Sequence, residues 1–228
     1  NMVGGIFYEH GHRLIASTVG LMTIGLALWI SRIEARRWVK RLGWMALVAV
    51  VAQGILGGIT VIFFLPAPIS ISHACLAQLF FALVVSLGIF TSPGWEKGYH
   101  REASNVQRIM DDRALQVLSV VMPVTIFLQV LIGATMRPIG AGLAIPDFPL
   151  AFGHLIPPVW DVGITIHFSP RFGAVIVAAL ATALASHIFV HWRSRTELVR
   201  TATLLLIVMV TQVTLGGWTV LSGRQVWV

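Results

Sequence analysis

Glu9, His12 and Arg13 open a run of about 17 apolar residues from Leu14 to Ile30. Ionisable groups at the mouth of an apolar segment are costly to desolvate and so mark a functional site. At helical spacing these three share one face, being three and four residues apart, while His10 points away. A carboxylate one turn from an imidazole can accept or donate a proton, or stabilise developing positive charge. An imidazole turned into a helical bundle can ligate haem iron, and a second axial ligand must then come from another helix. His73, in Ser70-Ile71-Ser72-His73-Ala74-Cys75-Leu76-Ala77, is the candidate, with Ala16, Ala74 and Ala77 leaving room for a flat macrocycle. The competing readings are a pair of buried histidines bonded to neighbouring helices, and an intrahelical Glu9–Arg13 ion pair.

The elements that must position these groups follow from composition. The chain has 228 residues, 57% hydrophobic and 11% charged, the balance of an all-α integral membrane protein with several spans. Six apolar segments run roughly 8–30, 44–64, 70–90, 115–136, 164–190 and 201–221. The net charge of +7 does not imply nucleic acid as a partner, because the basic residues form short clusters between apolar runs. Arg32, Arg36, Arg37, Lys40 and Arg41, then Lys97, Arg101, Arg108 and Arg113, then Arg193, Arg195 and Arg200 occupy alternate connections, which places those connections in the cytoplasm and both chain ends outside. Arg13, Arg137, Arg171 and Arg224 fall at outer helix ends or in outer loops, where an anion such as a haem propionate, or a lipid headgroup, would meet them. The single Cys75 excludes an intrachain disulfide and is read as a small core residue.

Gln53-Gly54-Ile55-Leu56-Gly57-Gly58-Ile59-Thr60-Val61 recurs as Gln212-Val213-Thr214-Leu215-Gly216-Gly217-Trp218-Thr219-Val220, with an echo in Gln129-Val130-Leu131-Ile132-Gly133-Ala134. The same alignment pairs His12-Arg13 with Pro170-Arg171, and Glu9 with His167. Small residues permit close helix approach, and a glutamine among them requires an internal partner. The repeat predicts two related bundles, 1–90 and 115–228, joined by a cytoplasmic linker at 91–114. It also predicts a fragment: one more helix before Asn1, and one beyond Val228 carrying a counterpart of His73. His187 and His191 read as structural groups at a helix C-terminus, and His100 and His154 as solvated loop residues. The Gly- and Pro-rich stretch 137–149 is either a lid over the second bundle's mouth or an inert ordered loop.

Glu9-x-x-His12-Arg13, the two Gln…Leu-Gly-Gly…Thr-Val runs and Gly140-Ala141-Gly142-Leu143-Ala144-Ile145-Pro146-Asp147-Phe148-Pro149 together resemble the haem A synthase family of the Cox15/CtaA type, over nearly all of the chain. The resemblance implies a pseudo-twofold pair of four-helix bundles, of which this chain covers helices two to seven, in the cell inner (plasma) membrane with haem sites toward the extracytoplasmic side. It implies oxidation of the C8 methyl of haem O to a formyl group, making haem A for cytochrome oxidase. His12 and His73 match the ligands of the substrate haem O or haem A, Glu9 the catalytic glutamate, and Arg13 and Arg171 the haem-binding arginines. Implied partners are haem O, membrane lipid, haem O synthase, cytochrome oxidase or other respiratory-complex subunits, and a second copy of the chain.

Two departures stand out. Ile145 and Ala151 occupy the positions where some members carry cysteines, so thiol chemistry is absent. Pro170 stands where a histidine ligand of a second-bundle haem b is expected, with His167 one turn earlier as the substitute. Proline is tolerated in a first helical turn, so the fifth helix is predicted to begin at Pro170 with Ser169 as its N-cap, leaving His167 outside it and the second bundle either without a bis-histidine haem or with one whose ligand His167 is drawn inward by a distorted helix start. The competing functions are a non-catalytic haem-binding cytochrome or assembly subunit, and a haem-free transporter built on the repeat.

Overall fold

A computed structural model describes residues 2–63, 66–95, 111–136, 142 and 144–222, with side chains from His10 onward. The side chain of Glu9, and His100, Arg137 and Arg224, lie outside the described residues. The fold is all-α: α1 Met2–Ile33, α2 Arg37–Ile62, α3 Ala67–Phe90, α4 Arg113–Met136, α5 Val162–His191 and α6 Thr196–Leu221. Each holds a stretch of at least 24 residues apolar enough to cross a membrane; at 1.5 Å per residue that is about 36 Å, more than the hydrocarbon thickness. Leu21, Met22, Val48 and Phe81 are 66–71% exposed, a costly arrangement in water and the expected one in lipid. Many serines and threonines inside the helices return their hydroxyls to the preceding turn, as Ser17 does to the Arg13 carbonyl and Thr23 to the Val19 carbonyl, which satisfies those hydroxyl protons where hydrocarbon offers no partner. The protein is a multi-pass integral membrane protein.

Two compact units are present, Asn1–Glu102 and Ala103–Trp227. In the first, α2 packs on both α1 and α3, around Ile30, Val39, Ala46 and Leu87. In the second, α5 packs on both α4 and α6, around Leu115, Met122, Ala181, Ala185 and Ile188. Alanines in that seam let the helices close on one another.

Helix starts differ from the sequence expectation at α1, α2, α5 and α6, and three of these differences concern charged residues or proline. α2 begins at Arg37 rather than near residue 44, and α6 at Thr196 rather than near 201, so Lys40, Arg41 and Arg200 lie on helices. A long basic side chain can lay its aliphatic stem on apolar surface while its charge reaches the interface, so a positive charge need not end a span. The third difference overturns the reading of Pro170: α5 begins at Val162, and Pro170 is inside it. Asp161, not Ser169, is the N-cap, its carboxylate accepting from the Ile164 N–H at 2.7 Å. His167 is therefore on the helix, four residues before Arg171. The Pro170 ring leaves the Ile166 carbonyl without its helical donor, and the adjacent Pro170 carbonyl is held from outside by Gln129 Nε2 at 2.6 Å.

The helix ends near Glu34 and Asp112 are tied by acid–base contacts. Arg36 donates to both Glu34 oxygens, at 2.9 and 2.6 Å, and to the Phe90 carbonyl at the end of α3 at 3.0 Å. The Arg36 side chain pulls the Glu34 carboxyl down to about 2. Asp112 caps α4 through the Leu115 N–H at 2.9 Å and meets His187 Nε2 at 2.8 Å and the Trp192 indole at 2.7 Å. Burial would raise its carboxyl, but those three partners hold it well below the usual carboxylate range. His187 stacks on His191 with centroids 4.5 Å apart, so both serve the end of α5 structurally.

Candidate functional site

In the first unit, α1 carries Glu9, His12 and Arg13 on successive turns of one helix, and α3 carries His73 in its second turn. Glu9 is three residues from His12, so the helix puts both on one face. The imidazoles of His12 and His73 lie within electrostatic reach of each other, although neither helix takes the other as a main packing partner. α2 stands between them and seats His73. Gln53 Nε2 donates to the His73 carbonyl at 2.9 Å, and Gly57, one turn on, leaves the space for its ring: a Cβ there would stand 3.2 Å from His73 Cε1. The first copy of the repeat is thus the seat of one candidate ligand.

His73 Nδ1, Gln53 Oε1 and Ser70 Oγ are buried with no hydrogen-bond partner among the described residues. Buried polar atoms without partners are uncommon and cost about 1–3 kcal/mol each. Three around one imidazole, with a glycine cradle and a second imidazole nearby, fit a site built for a haem held through His73 and His12. His12 is exposed on α1.

The second unit uses the corresponding residues on its own loop. His167 is 2% exposed; its Nδ1 accepts from the Ile145 N–H at 3.0 Å, and its Nε2 lies 3.2 Å from Arg171 Nη2. Arg171 Nη1 donates to the carbonyls of Asp147 and Leu150 at 2.8 Å each, and Nη2 to that of Ile145 at 3.3 Å. Its guanidinium also stands 5.8 Å from the Phe148 ring centre. Asp147 folds the loop on itself, accepting from the Phe152 and Gly153 N–H groups at 2.8 Å. The Gly153 N–H, against the opposing effect of burial, holds its carboxyl below the ordinary value, with Phe152 adding to it. Phe152 and Gly153 have φ of 55° and 76°, the left-handed turn that lets Ala151 and His154 pair through backbone bonds of 2.7 and 3.1 Å. Phe148 lies against Gly217 of the second repeat copy, where a Cβ would come within 2.8 Å of its ring. With His167 Nδ1 and the Arg171 guanidinium engaged by protein groups, His167 Nε2 facing that cation, and proline at 170, these residues do not fit a haem b.

Of the six site residues expected from sequence, the structure brings His12 and His73 together with Arg13 and the Glu9 backbone nearby, and separately brings His167 to Arg171. The sequence reading missed Gln53 and Gly57 as the seat of His73, and Asp147 as the loop organiser. The repeat did signal the first, since a glutamine among small residues needs an internal partner.

A family model described as cytochrome oxidase assembly protein, COX15-CtaA, matches residues 3–228. The chain is 29% identical over 177 residues to a protein of Symbiobacterium thermophilum named heme A synthase, covering 77% of this chain and 57% of that one. It is 29% identical over 227 residues to one of the same name from Halalkalibacterium halodurans, covering 96% and 72%, and 26% identical over 217 residues to another from Shouchella clausii, covering 94% and 69%. The chain spans little more than half the length of the first of these relatives. Matched from residue 3 to residue 228, this chain belongs to the COX15-CtaA family of cytochrome oxidase assembly proteins.

Proposed function

We propose that the first unit is the substrate site of a haem A synthase, an oxidoreductase that converts the C8 methyl of haem O to a formyl group on the way to cytochrome oxidase. The observation that supports it most is the seat of His73: a ring placed by Gln53 and Gly57, within electrostatic reach of His12, with Nδ1 buried and unpartnered among the described residues. A bound haem supplies the iron and the methyl carbon that is oxidised. His12 and His73 hold it from two helices that both begin on the extracytoplasmic side of the inner membrane. Arg13, one residue from His12, pairs with a propionate. Glu9, one turn from His12, handles the proton or stabilises positive charge beside the ring. The helices around the site exclude bulk water, which strengthens each of these charge interactions.

We assign no haem b to the second unit. The resulting alternative is a haem-binding assembly subunit without catalysis, favoured by one observation: Arg171 is spent on the carbonyls of Ile145, Asp147 and Leu150. Extraction of the pigment from the purified full-length protein separates the two. Haem O, its alcohol or haem A bound to the protein supports the synthase; haem b as the sole pigment supports the subunit. An absent Soret band would remove both.

A further inference from the structure

The repeat glutamine does more than pack. The Gln53 amide turns its NH₂ to the His73 carbonyl, to which it donates at 2.9 Å. Its Oε1 is then turned the other way, and it is buried without a partner among the described residues, as is His73 Nδ1. One is an acceptor lacking a donor; the other, when protonated, is a donor lacking an acceptor. Gly57, one turn along α2, faces the Cε1 edge between the two ring nitrogens. Since Nδ1 is the buried nitrogen, Nε2 is left for a ligand. A histidine that binds iron through one nitrogen normally gives the proton on the other to a nearby acceptor, which fixes its tautomer and raises its basicity.

The second unit repeats half of this device. Gln129 Nε2 holds the Pro170 carbonyl at 2.6 Å, and Gln129 Oε1 is again buried without a partner among the described residues. Gly173, three residues on, gives the amide its space, since a Cβ there would collide with it. In both units a glutamine from the neighbouring helix grips the backbone of the residue at a ligand position. Only in the first does that residue have a ring N–H to offer.

We propose that Gln53 is a positioning residue for His73. Its Nε2 anchors the His73 backbone, and its Oε1 accepts the Nδ1 proton when Nε2 is bound to iron, the amide adjusting within its pocket. Ser70, three residues before His73 on the same face of α3, is the competing acceptor. This inference rests on the haem-site reading of the first unit, and the test separates the two.

The test is the midpoint potential, low-spin spectrum and haem affinity of the purified full-length protein loaded with haem, for the parent and the variants Gln53→Met, Gln53→Glu, Ser70→Ala and His73→Ala. Methionine keeps the length and volume of glutamine and removes both amide groups. Gln53→Met is expected to raise the potential and to weaken haem binding about 10- to 100-fold. Gln53→Glu, which strengthens the acceptor, is expected to move the potential the opposite way, and Ser70→Ala to leave it at the parental value. Parental potentials in both Gln53 variants, or a shift confined to Ser70→Ala, overturn the assignment. A His73→Ala protein that keeps the parental low-spin spectrum instead overturns the haem site itself.

Discussion

In the first unit a repeat glycine, Gly57, lies beneath the imidazole of His73; in the second, Gly217 lies beneath the phenyl ring of Phe148. One related run thus makes room for a candidate ligand in one unit and for the unit's own loop in the other. In the second unit Arg171 is committed to three loop carbonyls, and its donor inventory explains why. A guanidinium has only donors, so it demands acceptors, and either a propionate or a ring of carbonyls can supply them. Once Ile145, Asp147 and Leu150 do so, and proline stands at 170, the second unit closes on itself.

The largest effect that would break this contrast concerns Glu9. Glu9→Ala is expected to leave haem bound while formyl formation falls about 10²- to 10⁴-fold, as read by pigment extraction from cells making the variant. Parental accumulation of haem A would remove Glu9 from the chemistry.

Next comes the latch. Arg171→Gln gives up charge-assisted bonds to buried carbonyls and is expected to destabilise the second unit by about 3 kcal/mol. Thermal unfolding in detergent and protease sensitivity of residues 144–154 measure this, with haem content unchanged. Haem lost from Arg171→Gln in step with its stability would place a cofactor in the second unit.

A smaller effect sharpens the contrast within one repeat. Gly57→Ala puts a methyl 3.2 Å from His73 Cε1, whereas nothing lies within 4 Å of a Cβ at Gly58. The first is expected to weaken haem binding about tenfold, and Gly58→Ala to be neutral; equal effects in a haem titration would show that the ring is not seated on Gly57.

The smallest effect is at the end of α1, in the Glu34–Arg36 pair. The folded Glu34 carboxyl titrates at about 2 against an ordinary 4.5, so it contributes stability above about 4.5 that is lost as pH falls toward 2. Melting curves of the parent and Glu34→Gln should converge across that window; curves that stay parallel would mean the Arg36 pair contributes nothing.

Much of the fold was legible because lipid leaves a simple record: long apolar segments separated by clusters of arginine and lysine. Helix starts were less so, since Arg37, Lys40 and Arg41 lie on α2 and Arg200 on α6, where charges snorkel without ending a helix. Pro170 misled for a physical reason. Proline at a helix start and proline inside a membrane helix look alike in sequence, and what decides between them is the Asp161 cap and the external grip of Gln129 on the Pro170 carbonyl. His12 and His73 can be proposed as a pair from their depth in two helices running the same way. The engagement of His167 and Arg171 by the loop was not, because it depends on the carbonyls of Ile145, Asp147 and Leu150, and a sequence does not reveal where backbone groups point.

The central claim is that haem is held by the first unit between His12 and His73, while the second is closed by its own loop. Haem-to-polypeptide stoichiometry of the purified full-length protein, with the low-spin spectrum of the parent, His73→Ala and His167→Ala, tests it most directly. The account predicts one haem per chain, a spectrum that loses its six-coordinate low-spin form in His73→Ala, and a parental spectrum in His167→Ala. Two low-spin haems per chain, or loss of haem on replacing His167, would contradict it.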